Sequence, residues 1–384
     1  MNASHIARTL APSPLLRRPS PLRTGPLILA PLAVFLVVLL ALTSCVQPGR
    51  TVHPDSDPVV GAECPVAPDP SITTHARIAW QGIANGDLLV KDLGLLEKCM
   101  PNAQIDWLRF NGGNDVIQAF GSGSIDIGIY GSSAGVKAMS PPLDLPISLV
   151  WVADVIGSAE ALVVFDAEIE TIEDLKGRTV AVTFGATPHY VLLSMLADAG
   201  IADQVEVINL ANDKMPAAAR TGQIDAAWTW EPTLTELVET GGHVVVDSVE
   251  AAAKGYVTFD MQTARDEFLA AEPEFMAMWT RVQGRAAEMI AEDPATAAES
   301  IAAQLGVPPD VAAAQMEGYI YLSAQELSGP EWMDVAQEGT SSGAAESIAS
   351  TAEFLAAVRM TSGAHDPGQY DGMIYRDGLR EALG

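Results

Sequence analysis

The chain has 384 residues, of which 49 are Asp or Glu and 21 are Lys or Arg, and its formal net charge is −28. An acidic balance of this size argues against nucleic-acid binding, which needs a basic footprint for the phosphates. Solubility or adaptation to salt would produce the same excess of acids, so the charge alone does not identify a ligand.

The N-terminus has the order of an export signal. Arginines and no acidic residue precede Cys45, and an uncharged apolar run covers 26–44. This order predicts a secretory signal over 1–44. The sequence Leu-Thr-Ser-Cys resembles a lipobox, so we expect Cys45 to be lipidated and to hold the protein at the outer face of the cell membrane. A plain transmembrane anchor is the alternative, since the run is about long enough to span a bilayer. The Arg17-Arg18 pair leaves both Sec and twin-arginine export open.

A proline-rich segment follows over 45–74 and shows no apolar periodicity. Such a segment is extended and builds no core, so it predicts a tether between the anchor and a globular body. Besides Cys45 the chain contains Cys64 and Cys99. Two cysteines in an exported chain predict one disulfide, with two free thiols as the alternative.

The body alternates short β-rich runs with helical stretches, which predicts an α/β fold with mostly parallel sheets flanked by helices. The predicted strands are 76–81, 104–110, 125–130, 145–153, 161–165, 178–183, 205–210 and 224–229. The predicted helices are 87–98, 114–121, 132–139, 188–199, 213–221 and 233–240. Beyond residue 263 the pattern is helical nearly to the C-terminus.

Two stretches, 104–130 and 204–229, repeat one strand–helix–turn–strand unit. The repeat predicts two similar lobes, 75–159 with 262–384 and 160–261, with hinge crossings near 157–162 and 256–262. Ligands of open α/β sheets bind beyond the carboxyl ends of the strands, so we expect a ligand cleft between the lobes that closes by a hinge motion. Asp126 and Asp225 hold the same place in both units, so we expect them to be structural.

The junctions between strands and helices supply candidate anion contacts. Gly131-Ser132-Ser133 opens a predicted helix, where bare N–H groups and the helix dipole favour an anion. The alternative is an ordinary serine N-cap. Thr187 and His189 open another helix, and for His189 a packing or capping role competes with ligand contact.

The candidate cation contacts are acidic and aromatic. Trp230 and Glu231 follow the second repeated strand, and an aromatic face with a carboxylate suits a cation. A core tryptophan and a solvated helix-start acid are the alternatives. Glu160 and Asp260 lie near the two crossings, and an acid in an apolar β-rich run is costly unless it is paired.

These residues resemble the taurine-binding proteins of the nitrate, sulfonate and taurine ABC importer family, which have the type II periplasmic-binding-protein fold. The similarity runs from about residue 76 to residue 370. The stretches that carry it are 107–110, 131–133, 157–164, 174–182, 187–190, 205–210, 224–232, 258–260, 318–322 and 351–355.

The resemblance implies a role for each candidate. Ser132, Ser133 and Thr187 would contact a sulfonate. Glu160 and Asp260 would contact an amine, and Gln81 would line the cleft. It also implies a monomer that captures taurine or a similar amino-sulfonate for ABC permease and ATPase subunits. The sequence departs from the family at Glu231, where the residue can be apolar, and at 261–262, where a tryptophan often follows the aspartate.

Other functions remain open on the sequence. Nitrate, an aliphatic sulfonate or a thiamine precursor would keep a binding role but leave the acids without a cation. Gly131-Ser-Ser-Ala-Gly135 also matches the nucleophile elbow of hydrolases, with Ser133 as nucleophile and His243 or His365 as the base. A family relative acting in menaquinone or thiamine synthesis is a second enzymatic alternative, against which the export signal argues. We expect no catalytic residue, cofactor or metal site.

Overall fold

The computed structural model describes residues 63–336 and 341–384. The expected signal over 1–44, the lipidation site Cys45 and the first part of the tether lie outside these residues. In the part of the chain that the structure describes, no helix combines the length and the apolar character needed to cross a membrane.

The strands, in chain order, are β1 (His75–Trp80), β2 (Gln104–Arg109), β3 (Ile127–Gly131), β4 (Ile147–Ile156), β5 (Glu160–Val164), β6 (Thr179–Val182), β7 (Glu206–Asn209), β8 (Ala226–Trp230), β9 (His243–Asp247), β10 (Phe259–Arg265) and β11 (Tyr319–Ile320). The predicted strands are confirmed with shifts of a few residues at their ends. The predicted strands do not include β9, β10 or β11, although the run that contains Asp260 in β10 is β-rich.

The α-helices are α1 (Gly86–Leu93), α2 (Leu95–Cys99), α3 (Gly113–Gly121), α4 (Ser132–Met139), α5 (Thr187–Asp198), α6 (Met215–Arg220), α7 (Thr233–Glu239), α8 (Ser248–Ala253), α9 (Asp266–Ala271), α10 (Pro273–Glu292), α11 (Pro294–Leu305), α12 (Pro309–Met316), α13 (Ala324–Leu327), α14 (Gly343–Ala357), α15 (Pro367–Asp371) and α16 (Asp377–Leu383). The helix predicted over 87–98 is divided at Gly94, whose φ of 60° is left-handed and favours glycine.

Within the described residues the strands form two mixed sheets. The first has the order β11-β4-β10-β3-β1-β2 and the second the order β7-β6-β8-β5-β9. In each sheet three strands pair in parallel, β2-β1-β3 and β7-β6-β8. The remaining neighbours pair antiparallel. Parallel pairing is thus confined to the strands of each repeated unit and the one strand that lies between them, β1 or β6, because the strands next to the crossings enter each sheet in the opposite direction.

In both copies of the repeat, an aspartate carboxylate accepts a hydrogen bond from the backbone of another strand. Asp126 accepts hydrogen bonds from the Arg77 backbone N–H at 3.0 Å and from the Arg77 guanidinium. Asp225 accepts the backbone N–H of Thr179 at 2.8 Å. Each aspartate therefore ties the start of the last strand of its unit, β3 or β8, to the middle strand of the parallel trio, β1 or β6. This geometry accounts for the duplication of the residue without any role in ligand binding.

The two lobes meet at short crossings. The chain leaves the first sheet after Ile156 and enters the second at Glu160, and it returns over 254–258 to β10. Residues 259–261 belong to the first sheet, so the return lies a few residues before the expected boundary at 262. At the first crossing the carbonyl of Gly318 accepts the N–H groups of Gly157 and Ala159, at 2.9 and 3.2 Å.

The C-terminal helices pack mainly on the first lobe, but α14 also contacts the second. Phe354 meets Tyr190 of α5 edge to face, with 4.9 Å between ring centroids. Cys64 and Cys99 form a disulfide with their Cα atoms 5.1 Å apart. The disulfide ties the last part of the tether to α2.

Candidate ligand-binding site

A cleft of about 540 Å³ lies between the two sheets. The first lobe contributes Gln81, Arg109 and Gly131 to its lining, and the second contributes Thr187 and Trp230. These residues stand at or just beyond the ends of β1, β2, β3 and β8 or at the start of α5. The cleft is therefore at the carboxyl ends of the parallel strands, where the repeat predicted it.

Two buried carboxyl groups meet in this cleft. Glu160 opens β5 and is 4% exposed, and Asp260 in β10 is 3% exposed. Thr187 donates its hydroxyl to Glu160 Oε1 at 2.5 Å, while Glu160 Oε2 has no partner among the described residues. The cleft thus holds one acceptor oxygen, Glu160 Oε2, that the rest of the described chain does not satisfy.

Burial controls the ionisation of this pair. It raises the pKa of Asp260 to about 7. It also raises the pKa of Glu160 well above its usual range, although the hydrogen bond from Thr187 acts in the opposite direction. A bound cation would relieve the cost of the buried charges. The arrangement is therefore suited to an ammonium group.

Three helices begin at the same cleft. The N-cap residues of α3, α4 and α5 are Gly112, Gly131 and Ala186, and all of them line it. None of the three helices receives a side-chain cap from the residues that the structure describes. Unpaired N–H groups and the positive ends of the helix dipoles suit an anion.

Groups suited to a cation and groups suited to an anion lie close together at Gly131. This residue lies directly opposite Asp260 in the β3–β10 ladder. A Cβ atom at Gly131 would lie 3.2 Å from Thr187 Oγ1 and 3.6 Å from Asp260 Oδ1. Glycine therefore keeps open the space between the start of α4 and the carboxyl pair. The site can hold a small ligand that carries opposite charges at its two ends.

The structure does not bring the hydroxyls of Ser132 and Ser133 to the cleft. Both residues are buried, and neither is among the described residues of its lining. Ser132 Oγ accepts the N–H of Phe259 at 3.4 Å, and Ser133 Oγ has no partner in the described chain. What their segment offers to the cleft is the backbone at Gly131, because the first turn of α4 directs the serine side chains into the protein.

His189 also lies away from the cleft lining. Its ring stacks on Phe184 with 4.4 Å between centroids, and its Nδ1 accepts the N–H of Gly185 at 3.4 Å. Burial lowers the pKa of His189 to about 4. The imidazole is therefore neutral at physiological pH, and these contacts match the packing and capping alternative rather than ligand contact.

The other predicted residues do line the cleft. Gln81 donates to the Ile129 carbonyl at 2.7 Å, which fixes its amide at the end of β1. Trp230 is half-buried and lies opposite Glu160 in the β5–β8 ladder. The carboxylate of Glu231 accepts the Thr235 hydroxyl at 2.9 Å and the Thr235 N–H at 3.2 Å. Glu231 thus caps α7 while one side of it faces the cleft.

Sequence reasoning missed two charged residues. Arg109 is the one positively charged side chain in the described lining, and it lies over the Trp80 ring at 5.4 Å from the centroid. Asp154 is fully buried beside the cleft and pairs with Asp260 across β4 and β10. It stands in the apolar run 149–156, so the reasoning that singled out Asp260 would have found it.

The hydrolase alternative finds no support in this geometry. Ser133 Oγ is buried without a partner in the described chain, so no base activates it there. His243 contacts the carbonyl of Ile169 at 3.0 Å, and His365 contacts Asp144 at 2.9 Å. Among residues 63–336 and 341–384, no group of three or more His, Cys, Asp or Glu side chains could hold a metal ion.

Comparison with known proteins agrees with a binding cleft. The family model described as NMT1/THI5 like matches residues 104–297. The chain is 34% identical over 239 residues to the taurine-binding periplasmic protein of Escherichia coli (strain K12), covering 59% of this chain and 73% of that protein. It is 29% identical over 252 residues to a putative aliphatic sulfonates-binding protein of the same organism, covering 63% and 75%.

Solved structures share the fold. The periplasmic aliphatic sulphonate binding protein SsuA from Escherichia coli has a TM-score of 0.63 at 22% identity, covering 78% of this chain and 92% of that one. The desulfurization enzyme DSZB has a TM-score of 0.61 at 16% identity, covering 81% and 99%. The two-sheet architecture therefore serves both binding proteins and at least one enzyme, and the fold alone does not decide between them.

Proposed function

This chain belongs to the NMT1/THI5-like family, and we propose that it is the extracytoplasmic substrate-binding protein of an ABC importer that captures taurine or a similar short amino-sulfonate. The observation that carries the proposal is the position of Gly131, which lies at the start of α4 directly opposite the buried Asp260 and next to Thr187. The Thr187 hydroxyl in turn donates to the second buried acid, Glu160. Taurine is an ammonium and a sulfonate two carbons apart, so this juxtaposition offers each end its complement. The identity to a taurine-binding protein supports the same ligand.

The remaining parts of the proposal follow from the sequence. The basic and apolar N-terminus supports export and a lipid on Cys45, which would hold the protein at the outer face of the cell membrane. The permease and ATPase subunits of the importer would be its partners, and it would act as a monomer. It would catalyse no reaction, because the cleft presents recognition groups and Ser133 lacks an activating base among the described residues.

An aliphatic sulfonate without an amine is the second candidate, favoured by the similarity to the putative aliphatic sulfonates-binding protein. Such a ligand would leave Glu160 and Asp260 desolvated and without a cation when the cleft closes, which is costly for buried acids. The paired acids therefore favour an amino-sulfonate over a simple alkanesulfonate.

Calorimetry and thermal unfolding with taurine, ethanesulfonate, sulfate and nitrate test the proposal. Taurine should bind most tightly, and at a hundredfold excess over Kd it should stabilise the fold by about 2.7 kcal/mol. Equal affinity for ethanesulfonate and taurine would favour the second candidate. Unchanged unfolding with every one of these compounds would refute a sulfonate-binding role.

The substitution Ser133→Ala distinguishes the sulfonate contact expected from the sequence from the buried position that Ser133 has in the structure. If the hydroxyl donated to the sulfonate, its loss would weaken binding by about 1–3 kcal/mol. Because Ser133 Oγ is buried away from the cleft, we expect taurine affinity to stay within roughly twofold of wild type. Thr187→Val is the matched control, since it removes the hydroxyl that donates to Glu160 and should weaken binding. If calorimetry measured a large loss of taurine affinity in Ser133→Ala, the serine hydroxyl would have to be assigned as a ligand contact.

A further inference from the structure

A third carboxyl group lies behind the pair that faces the cleft. Asp154 in β4 is directly opposite Asp260 in the β4–β10 ladder and is 0% exposed. Directly opposed residues on neighbouring antiparallel strands have Cβ atoms about 4.5–5.5 Å apart. Asp260 is among the described residues of the cleft lining, whereas Asp154 is not.

Among the described residues, Asp154 has no cation to balance its charge. Neither of its carboxyl oxygens has a hydrogen-bond donor in the part of the chain that the structure describes. The titratable groups that face it are Asp260 from β10, Glu160 from β5, and Tyr319 and Tyr321 from the segment that contains β11. None of them supplies a positive charge: burial raises the pKa values of the two tyrosines well above their usual range, so these side chains are neutral, and the other two groups are carboxyls. An ionised Asp154 would therefore be a buried charge without a balancing cation.

The protonated, neutral form of Asp154 avoids the cost of a buried negative charge. A protonated carboxyl group is a donor, and a carboxylate is an acceptor for it. Burying an unpaired charge costs several kcal/mol, whereas a hydrogen bond to a charged acceptor is favourable. Burial first, and then the charge of Asp260, raises the pKa of Asp154 well above its usual range, in agreement with the geometry.

We propose that Asp154 is a positioning residue, which keeps its proton and donates it in a hydrogen bond to Asp260, so that the Asp260 carboxylate stays ionised and directed at the ammonium of the ligand. The inference rests on the proposed function of the cleft, since it needs a cationic ligand group. Asp154 does not touch the ligand, but it sets the charge of Asp260, which does. No proton is transferred to the ligand, and the pair keeps one proton and one negative charge when the cleft is occupied.

The pair makes affinity depend on pH. The ammonium binds the ionised form of Asp260, whose pKa burial raises to about 7. Below this value the affinity for taurine should fall about tenfold per pH unit, and above it the affinity should level off. The hydrogen bond from Asp154 favours the ionised form and therefore lowers the pKa of Asp260. Without that donor, the onset of binding should move to higher pH.

Two substitutions of Asp154 test the proposal by calorimetry with taurine between pH 5.5 and 8.5. Asp154→Asn keeps an N–H donor and should bind within roughly threefold of wild type, with the same pH midpoint. Asp154→Leu keeps the branched shape of the side chain but removes the donor. It should lose tenfold or more at pH 7 and regain much of the loss by pH 8.5. A loss that is equal at every pH, or no loss at all, would overturn the proposal, as would a tenfold loss in a folded Asp154→Asn protein.

A measurement without ligand keeps this inference distinct from the proposed function. A group that is protonated when folded and ionised when unfolded destabilises the fold as pH rises. The unfolding equilibrium constant of wild type should therefore rise about tenfold per pH unit relative to that of Asp154→Asn between pH 5.5 and 8.5. A ratio independent of pH would show that Asp154 is ionised and would refute the shared proton. Failure of wild type to bind taurine at any pH would instead refute the proposed function.

Discussion

Replacing Asp260 with asparagine is expected to weaken taurine binding by about 2–4 kcal/mol, roughly 30- to 700-fold, and to change ethanesulfonate binding little or even to strengthen it. Asparagine keeps the shape of the side chain but removes the charge that meets the ammonium. Asp260 is buried and has a pKa raised to about 7, so below that pH the neutral amide replaces a neutral acid and the fold should tolerate it. For ethanesulfonate the same change removes a buried charge that has no partner in the ligand.

Titration calorimetry of two ligands against two proteins supplies the four affinities that decide this prediction. Asp213→Asn is the matched control, because Asp213 also lines the cleft but is exposed and ion-paired with Lys214. We expect it to change taurine affinity by less than about 0.5 kcal/mol. If Asp260→Asn weakened both ligands equally, Asp260 would be a structural residue and amine recognition would have to be assigned elsewhere.

Replacing Gly318 with alanine is expected to destabilise the protein by about 1–3 kcal/mol and to weaken ligand binding as well. A Cβ atom at this position would lie 2.5 Å from the backbone nitrogen of Ala159 and 2.8 Å from its Cα. These are backbone atoms of the first crossing and cannot rotate away as a side-chain end could. The Gly318 carbonyl also accepts two N–H groups of that crossing, so a shift there would move the adjacent Glu160.

Urea unfolding, together with calorimetry on the folded fraction, measures both effects. Gly363→Ala provides the control, since a Cβ atom there would have no neighbour within 4 Å. It should leave the unfolding midpoint and the taurine affinity close to wild type. An equal midpoint for Gly318→Ala would show that the crossing can move away from the C-terminal segment at little cost.

More of the fold than of the binding site could be predicted from the sequence. The 104–130 and 204–229 repeat located two lobes and a cleft, because strand–helix periodicity is a local property that the chain displays directly. The repeat also indicated that Asp126 and Asp225 are structural residues rather than ligand contacts. In the structure, each of them accepts a hydrogen bond from a backbone N–H group within its own sheet. The short strand β11 was missed, since two residues leave no periodic pattern.

Side-chain direction was the part that the sequence could not supply. Ser132 and Ser133 are in the expected place on the chain, but the first turn of α4 points their hydroxyls into the protein. Small residues before a helix predict exposed N–H groups, and they do not say which side chains of the first turn face the cleft. The pairing of Asp154 with Asp260 could not be predicted for a related reason, because the two residues are remote in sequence and only the β4–β10 register brings them together.

The charge of the cleft bears on how quickly different ligands arrive. Its described lining includes Asp115, Glu160, Asp213, Glu231 and Asp260 against the one cation Arg109. The resulting negative potential repels anions over a distance of about a Debye length, roughly 8–10 Å at moderate ionic strength. A zwitterion has no net charge and feels little of this long-range repulsion, whereas sulfate, nitrate and alkanesulfonates are slowed on approach. Discrimination thus begins in the association rate, before any contact forms, and this kinetic part of it weakens as salt screens the field.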